Sequence, residues 1–331
     1  MQSIKLAIKK MNIIKKNLKI KKVSGIILIA SPGIAAYLVS SLYPPLDALF
    51  LALIFGITFG TLIDNKEIKD LAEKSLAVTL PVGITLYGAN VKFPLPGDFP
   101  ARVIVLTSIS AILMGVAVYV FAKKFKIGEK LSLLLACGTA ICGVSAIAII
   151  SPLIKPKKEE FSAAIIIITV VGLTGAILYP SLGYLLDIPS SSYAIMSGAT
   201  LHQTGLVKIA SMPFGYEVVQ EALEIKGIRI AMITIVALVV SLMYAEHRFY
   251  IPWYVVGFLV VAFLSSFTLT PEVVKSIKPL STIAFSITLA SIGSAVNIRD
   301  IQNMRMSPLI AAYIGWFSSA AVILLLLRWA V

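Results

Sequence analysis

Charge is the scarcest commodity in this sequence: of 331 residues 14% are charged and 58% hydrophobic, with a mean hydropathy of +0.95. Average soluble domains are nearer a quarter charged, so a water-soluble globular enzyme is excluded. There are two cysteines, Cys137 and Cys142, both in one apolar segment, which leaves no basis for a disulfide framework or a zinc site. All 16 acidic residues map to loops or segment ends. That absence counts against a cation/proton antiporter, whose site needs carboxylates deep in a span. No catalytic Ser/His/Asp set, metal-ligand spacing or dinucleotide fingerprint is present, so neither catalysis nor a metal or other cofactor is expected.

What remains is a succession of apolar runs at about 24–43, 46–63, 75–91, 101–122, 131–154, 161–186, 192–212, 227–244, 252–270, 280–297 and 307–328. Most can cross about 30 Å of hydrocarbon as helices of roughly 17–25 residues. Barrel strands would alternate polar and apolar residues, and these runs do not. The fold class is therefore an all-α polytopic membrane protein with about eleven membrane segments.

The net charge of +13 then speaks of topology and anionic lipid headgroups rather than nucleic acid. Eight lysines between Lys5 and Lys22 are interleaved with Ile4, Ile8, Met11, Ile14 and Leu18 at roughly helical spacing. Residues 1–22 read as a basic amphipathic segment on the cytoplasmic face, and 23–331 as a single transmembrane domain of a multi-pass protein of the cell membrane. With the N-terminus inside, eleven crossings put Lys155, Lys157 and Lys158 outside. Letting segments five and seven re-enter from opposite faces returns these lysines inside, so the positive-inside rule favours nine full crossings, and the sequence leaves the number open between nine and eleven.

Segments five and seven are also the least ordinary in composition. Gly138-Thr139-Ala140-Ile141-Cys142-Gly143-Val144-Ser145 and Gly198-Ala199-Thr200-Leu201-His202-Gln203-Thr204-Gly205 put small and polar residues where lipid-facing helices carry Leu or Ile. Glycine at this density weakens a helix, and backbone freed at a break must be buried or line an aqueous cavity. Broken helices of this kind build substrate sites in secondary transporters, presenting half-helix N-termini to anionic groups. Gly138 to Ser145 has the outline of a phosphate loop with Val144 in place of the lysine, which removes a nucleotide and leaves a small oxyanion. The candidate substrate-binding residues are Gly138, Thr139, Cys142, Gly143, Ser145, Thr200, His202, Gln203 and Lys208. His202 and Lys208 are the ionisable side chains, thiols apart, that read as lying well inside a segment. Gly56-Ile57-Thr58-Phe59-Gly60 reads as a helix-packing face. Gly83 to Lys92 and Ala290 to Arg299 both end small-small-Asn-aliphatic-basic, an echo suited to inverted repeats, which makes Asn90 and Asn297 second-tier candidates.

Leu80 to Phe93 (LPVGITLYGANVKF), Gly138 to Pro152 (GTAICGVSAIAIISP), Ser197 to Ser211 (SGATLHQTGLVKIAS), Ile251 to Pro271 and Leu289 to Asp300, with Leu178-Tyr179-Pro180 between them, resemble the YeiH-type family of sulfate exporters. The resemblance covers nearly the whole chain after the basic N-terminus. It implies a transporter distantly similar to the bile-acid and cation/proton antiporter group, with broken helices between inverted repeats. The chain departs from that pattern at Gln203, where family members commonly carry an acid, and at Leu206, where they tend to be polar.

The expectation is a secondary transporter exporting sulfate or a related sulfur oxyanion by alternating access. Its partners would be the anion, a coupling proton or sodium ion and membrane lipids, and a homodimer is compatible with it. The alternatives are an organic-anion symporter for a sulfonate or carboxylate, and a membrane-embedded enzyme using Cys142 and His202.

Overall fold

The computed structural model describes residues 22–43, 46–63, 66–91, 100–244, 253–295 and 305–330. The basic segment expected over 1–22 and Asn297 therefore fall almost wholly outside the described residues. Every regular element described is helical. We number them α1 (Lys22–Leu42), α2 (Ala48–Ile63), α3 (Lys66–Tyr87, continued by a 3-10 turn Gly88–Asn90), α4 (Ala101–Lys124), α5 (Glu129–Ala140), α6 (Val144–Ile154) and α7 (Lys158–Leu185). They continue as α8 (Ser190–Thr200), α9 (Thr204–Ser211), α10 (Tyr216–Ala231), α11 (Ile233–Met243), α12 (Trp253–Phe267), α13 (Pro271–Ala295) and α14 (Ser307–Ala330). Five stretches among the described residues are long and apolar enough to cross a membrane: α4, α7, α10 with α11, α13 and α14. The protein is an all-α polytopic membrane protein.

Three helices start earlier than hydropathy indicates. α3 begins at Lys66 rather than 75, α10 at Tyr216 rather than 227, and α13 at Pro271 rather than 280. In each case the first turns carry charge, such as Lys66, Glu67, Lys69, Asp70, Glu73 and Lys74 on α3. Charge ends an apolar window, but it does not end a helix whose backbone bonds are internal.

The helices sort into two bundles. In the first, α13 packs along α1, α2 and α3, and α12 closes on α3 and its 3-10 turn. Small residues allow this: a Cβ on Gly56 would lie 2.2 Å from the Ala290 carbonyl oxygen, and one on Gly60 2.2 Å from that of Ser294. The Gly56-x-x-x-Gly60 pattern thus serves close backbone approach between α2 and α13. The second bundle contains α4 to α11 with α14. Between the bundles the contact is thin, with α7 touching α2 and α13 and α6 meeting α3.

Segments five and seven each double back within the second bundle. Lys130 on the first turn of α5 donates to the Lys155 carbonyl just past the end of α6, 2.7 Å away. Tyr193 near the start of α8 donates to the Ala210 carbonyl near the end of α9 at 2.7 Å, and Ser197 and Ser211 pair at 3.0 Å. Each segment is therefore a helical hairpin with both ends on one side and a three-residue tip: Ile141-Cys142-Gly143 in the first, Leu201-His202-Gln203 in the second. The first hairpin places Lys155, Lys157 and Lys158 on the same side as the α4–α5 connection, where Lys123 pairs with Glu129 at 2.7 Å.

Candidate functional site: two hairpin tips in a cationic clamp

The tips meet. A Cβ on Gly143 would lie 2.8 Å from Cγ of Gln203, so the two turns touch backbone to side chain. Gly143 has φ +70, a conformation open to glycine and costly for other residues. It lets the chain reverse in three residues, and its N–H returns to the Gly138 carbonyl at 2.9 Å.

A helix arriving at such a tip presents its last carbonyls with no partner in the helix, and in a buried setting each needs a donor from elsewhere. Here four side chains supply them. Arg229 donates to the carbonyls of Thr139, Ala140 (2.9 Å) and Leu201 (2.8 Å). Lys226 donates to those of Ile141 (2.7 Å) and Leu201 (2.6 Å). Ser110 on α4 bonds the Ala199 carbonyl at 2.8 Å, and Trp316 on α14 bonds that of Thr200 at 3.2 Å. Tyr179 on α7 meets the Thr200 hydroxyl at 2.6 Å. Lys226 and Arg229 are three apart on α10, hence on one face, and both are 0% exposed. Together they clamp the two tips to each other.

The departing half-helices are treated differently. Neither Gly143, the N-cap of α6, nor Gln203, the N-cap of α9, gives a side-chain cap. Beside them His202 is fully buried with both ring nitrogens unpartnered, and Oε1 of Gln203 is also buried without a partner. The amide of Gln203 donates weakly to Thr169 on α7 at 3.4 Å, and the His202 ring lies 5.7 Å from that of Trp316. Unsatisfied buried polar atoms cost about 1–3 kcal/mol each, so a cluster of them at two uncapped N-termini marks a place suited to a polar ligand.

The residues singled out from sequence take distinct places. Cys142, Gly143, His202 and Gln203 form the tips. Ser145 lies on the first turn of α6. The Thr139 carbonyl joins the clamp and that of Thr200 takes the Trp316 bond, while their hydroxyls bond back to Leu135 (2.9 Å) and Met196 (2.6 Å) in their own helices. Gly138 allows close packing inside the first hairpin, where its Cβ would lie 3.0 Å from Ile147. Asn90 is half-buried on the turn after α3.

Lys208 is exposed on α9 and takes no part in the hydrogen bonds that join the tips. Lys208→Gln should leave thermal stability and anion binding within about twofold of wild type in a purified-protein binding assay.

The buried cations are instead Lys226 and Arg229, which the sequence reading placed in a linker and at the edge of a span. Glu217, Glu221 and Glu224 pull the hydropathy of that stretch down and hide a helix that is continuous into apolar sequence. The available signal was the i, i+3 spacing of two cations at the threshold of an apolar run with no acid after Glu224.

A cavity of about 260 Å³ lies between the bundles at the open end of the first hairpin. Its lining includes Leu80 of α3, Ser151 of α6, Lys155 and Ser291 of α13.

With the helical architecture and tips in view, comparison with known proteins fixes the family. A family profile described as conserved hypothetical protein 698 matches residues 24–312, a span that holds both tips and the clamp. The chain belongs to this family. Among its relatives is a UPF0324 membrane protein of Archaeoglobus fulgidus, 51% identical over 307 residues covering 93% of each chain. UPF0324 membrane proteins of Bacillus cereus and Bacteroides thetaiotaomicron are 29% and 28% identical, covering 81% and 86% of each chain. No solved structure matches the chain.

Proposed function

We propose that this family member is a secondary transporter that moves a small oxyanion, sulfate or a related sulfur oxyanion, across the cell membrane by alternating access. The observation that carries the reading is the charge balance at the tips. Two half-helix carbonyl ends bring about −0.5 each, which Arg229 alone balances, and Lys226 adds a second cationic group beside two N-termini without a side-chain cap. Among the described residues no Asp or Glu is fully buried to offset these cations, and the half-buried Asp47 is the acid that reaches Tyr87 beside the first tip. An anion of a few atoms, accepting first-turn N–H groups of α6 and α9 with His202 and Gln203 alongside, is the complement of such a site. The resemblance to sulfate exporters supports the sulfur oxyanion within that class, and a sulfonate or carboxylate carried by symport is the second choice. Nine crossings with the N-terminus and the Lys155–Lys158 loop inside accord with the charge distribution, and export is the direction adopted with the sulfate reading. Access alternates by movement between the two thinly joined bundles, with the clamped tips travelling as one unit.

The enzyme reading needs Cys142 and His202 in hydrogen-bond contact, as nucleophile and base. Cys142 is instead bonded by Tyr87, and both His202 nitrogens are unpartnered.

The test is equilibrium binding of radiolabelled sulfate to purified protein, wild type and His202→Ala. Saturable binding that weakens by at least about tenfold in the variant, with its elution profile unchanged, agrees with the site. Equal binding by both removes His202 from it.

A further inference from the structure

Resting on the transporter reading, we infer that Tyr87 is a latch that holds the empty site and is displaced by the anion, so that loaded carrier moves more readily than empty carrier. Tyr87 ends α3 and belongs to the first bundle. Three contacts fix it there. The next residue, Gly88, packs so tightly on α12 that a Cβ would lie 2.4 Å from the Phe258 carbonyl oxygen. Ser265 of α12 donates to the Val91 carbonyl at 3.0 Å, pinning the turn that follows. The Tyr87 ring meets Phe285 of α13 edge-on at 5.6 Å.

From that anchored position the phenol leaves its own bundle. Its hydroxyl donates to Cys142 Sγ in the first tip at 3.6 Å. Tyr87 thus sits at the first tip, on the residue before the N-cap of α6, and it does so from across the thin seam between the bundles. A phenol and an oxyanion compete for the same ground. The phenol is neutral and gains a weak bond to sulfur, whereas the anion gains the helix N-terminus and the nearby cations, so the anion wins when present. Its arrival breaks a bond between the bundles at the site itself. With the site empty the bond re-forms and resists the return movement, so exchange outruns net flux.

Two readouts test this with Tyr87→Phe, which keeps the ring packing and removes the hydroxyl. Deuterium labelling of the backbone N–H groups on the first turn of α6, Val144 to Ala146, in sulfate-free buffer should be about three- to tenfold faster in the variant, the factor expected for losing one hydrogen bond. In proteoliposomes, wild type should exchange sulfate for sulfate about tenfold faster than it releases sulfate without exchange, and the variant should close that gap to within about threefold. Unchanged labelling together with an unchanged ratio overturns the latch. Faster labelling in protein that moves no sulfate supports the bond to Cys142 and points the failure at the transporter reading.

Discussion

Arg229→Met is expected to abolish sulfate binding and to destabilise the folded protein more than any other single substitution in the site. Arg229 serves three carbonyls from two different half-helices, those of Thr139, Ala140 and Leu201. Methionine approximates its volume but donates nothing, so Thr139 and Ala140 lose the donor that reaches them and Leu201 keeps Lys226 alone. Two stranded carbonyls at about 1–3 kcal/mol each come to about 2–6 kcal/mol, and the loss of a buried cation facing two dipole ends acts in the same direction. Thermal unfolding in detergent should show a large downward shift, and sulfate binding should vanish. Arg229→Lys keeps the charge but cannot span three acceptors, and should fall between wild type and Arg229→Met in both assays. A methionine variant with wild-type unfolding temperature and wild-type binding would mean that the clamp is dispensable.

The second large effect belongs to Gly143→Ala. At φ +70 a Cβ costs about 1–3 kcal/mol of backbone strain. The added carbon also lies 2.8 Å from Cγ of Gln203, so the two tips must move apart. The effect should concentrate in the site: the hairpin arms keep their packing, while the α6 N-terminus and Gln203 lose their register. We expect protein that inserts and purifies normally, with sulfate affinity reduced by at least about tenfold. Gly205→Ala is the matched control, because its Cβ meets nothing within 4 Å, and it should bind within about twofold of wild type. Equal losses in both variants would show that the effect is not specific to the tip.

Much of this architecture is legible in residue order. The membrane class follows from charge scarcity, and the two breaks follow from glycine and polar residues at 138–145 and 197–205. Which residues face each other at the breaks does not follow. A hairpin and a kinked crossing helix have the same local composition, and the cross-arm bonds Lys130–Lys155 and Tyr193–Ala210 are tertiary contacts that no local pattern encodes. The clamp escaped for a related reason. Lys226 sits in a stretch whose acidic residues give it the hydropathy of a loop, and its burial arises only when α10 packs against both tips. Lys208 differs in the opposite sense, since an apolar window surrounds a side chain that is exposed on α9. No local pattern singles out Tyr87, whose reach to Cys142 depends on how two bundles meet.

The central claim is that the paired tips bind and carry a small oxyanion. Counterflow of radiolabelled sulfate in proteoliposomes of the purified protein tests it most directly, with sulfite, thiosulfate and taurine as competitors at two pH values. The account predicts saturable sulfate counterflow, competition by the inorganic oxyanions ahead of taurine, and no counterflow in Arg229→Met; a change between the two pH values would identify a coupled proton. Folded wild-type protein that moves none of these anions would contradict it.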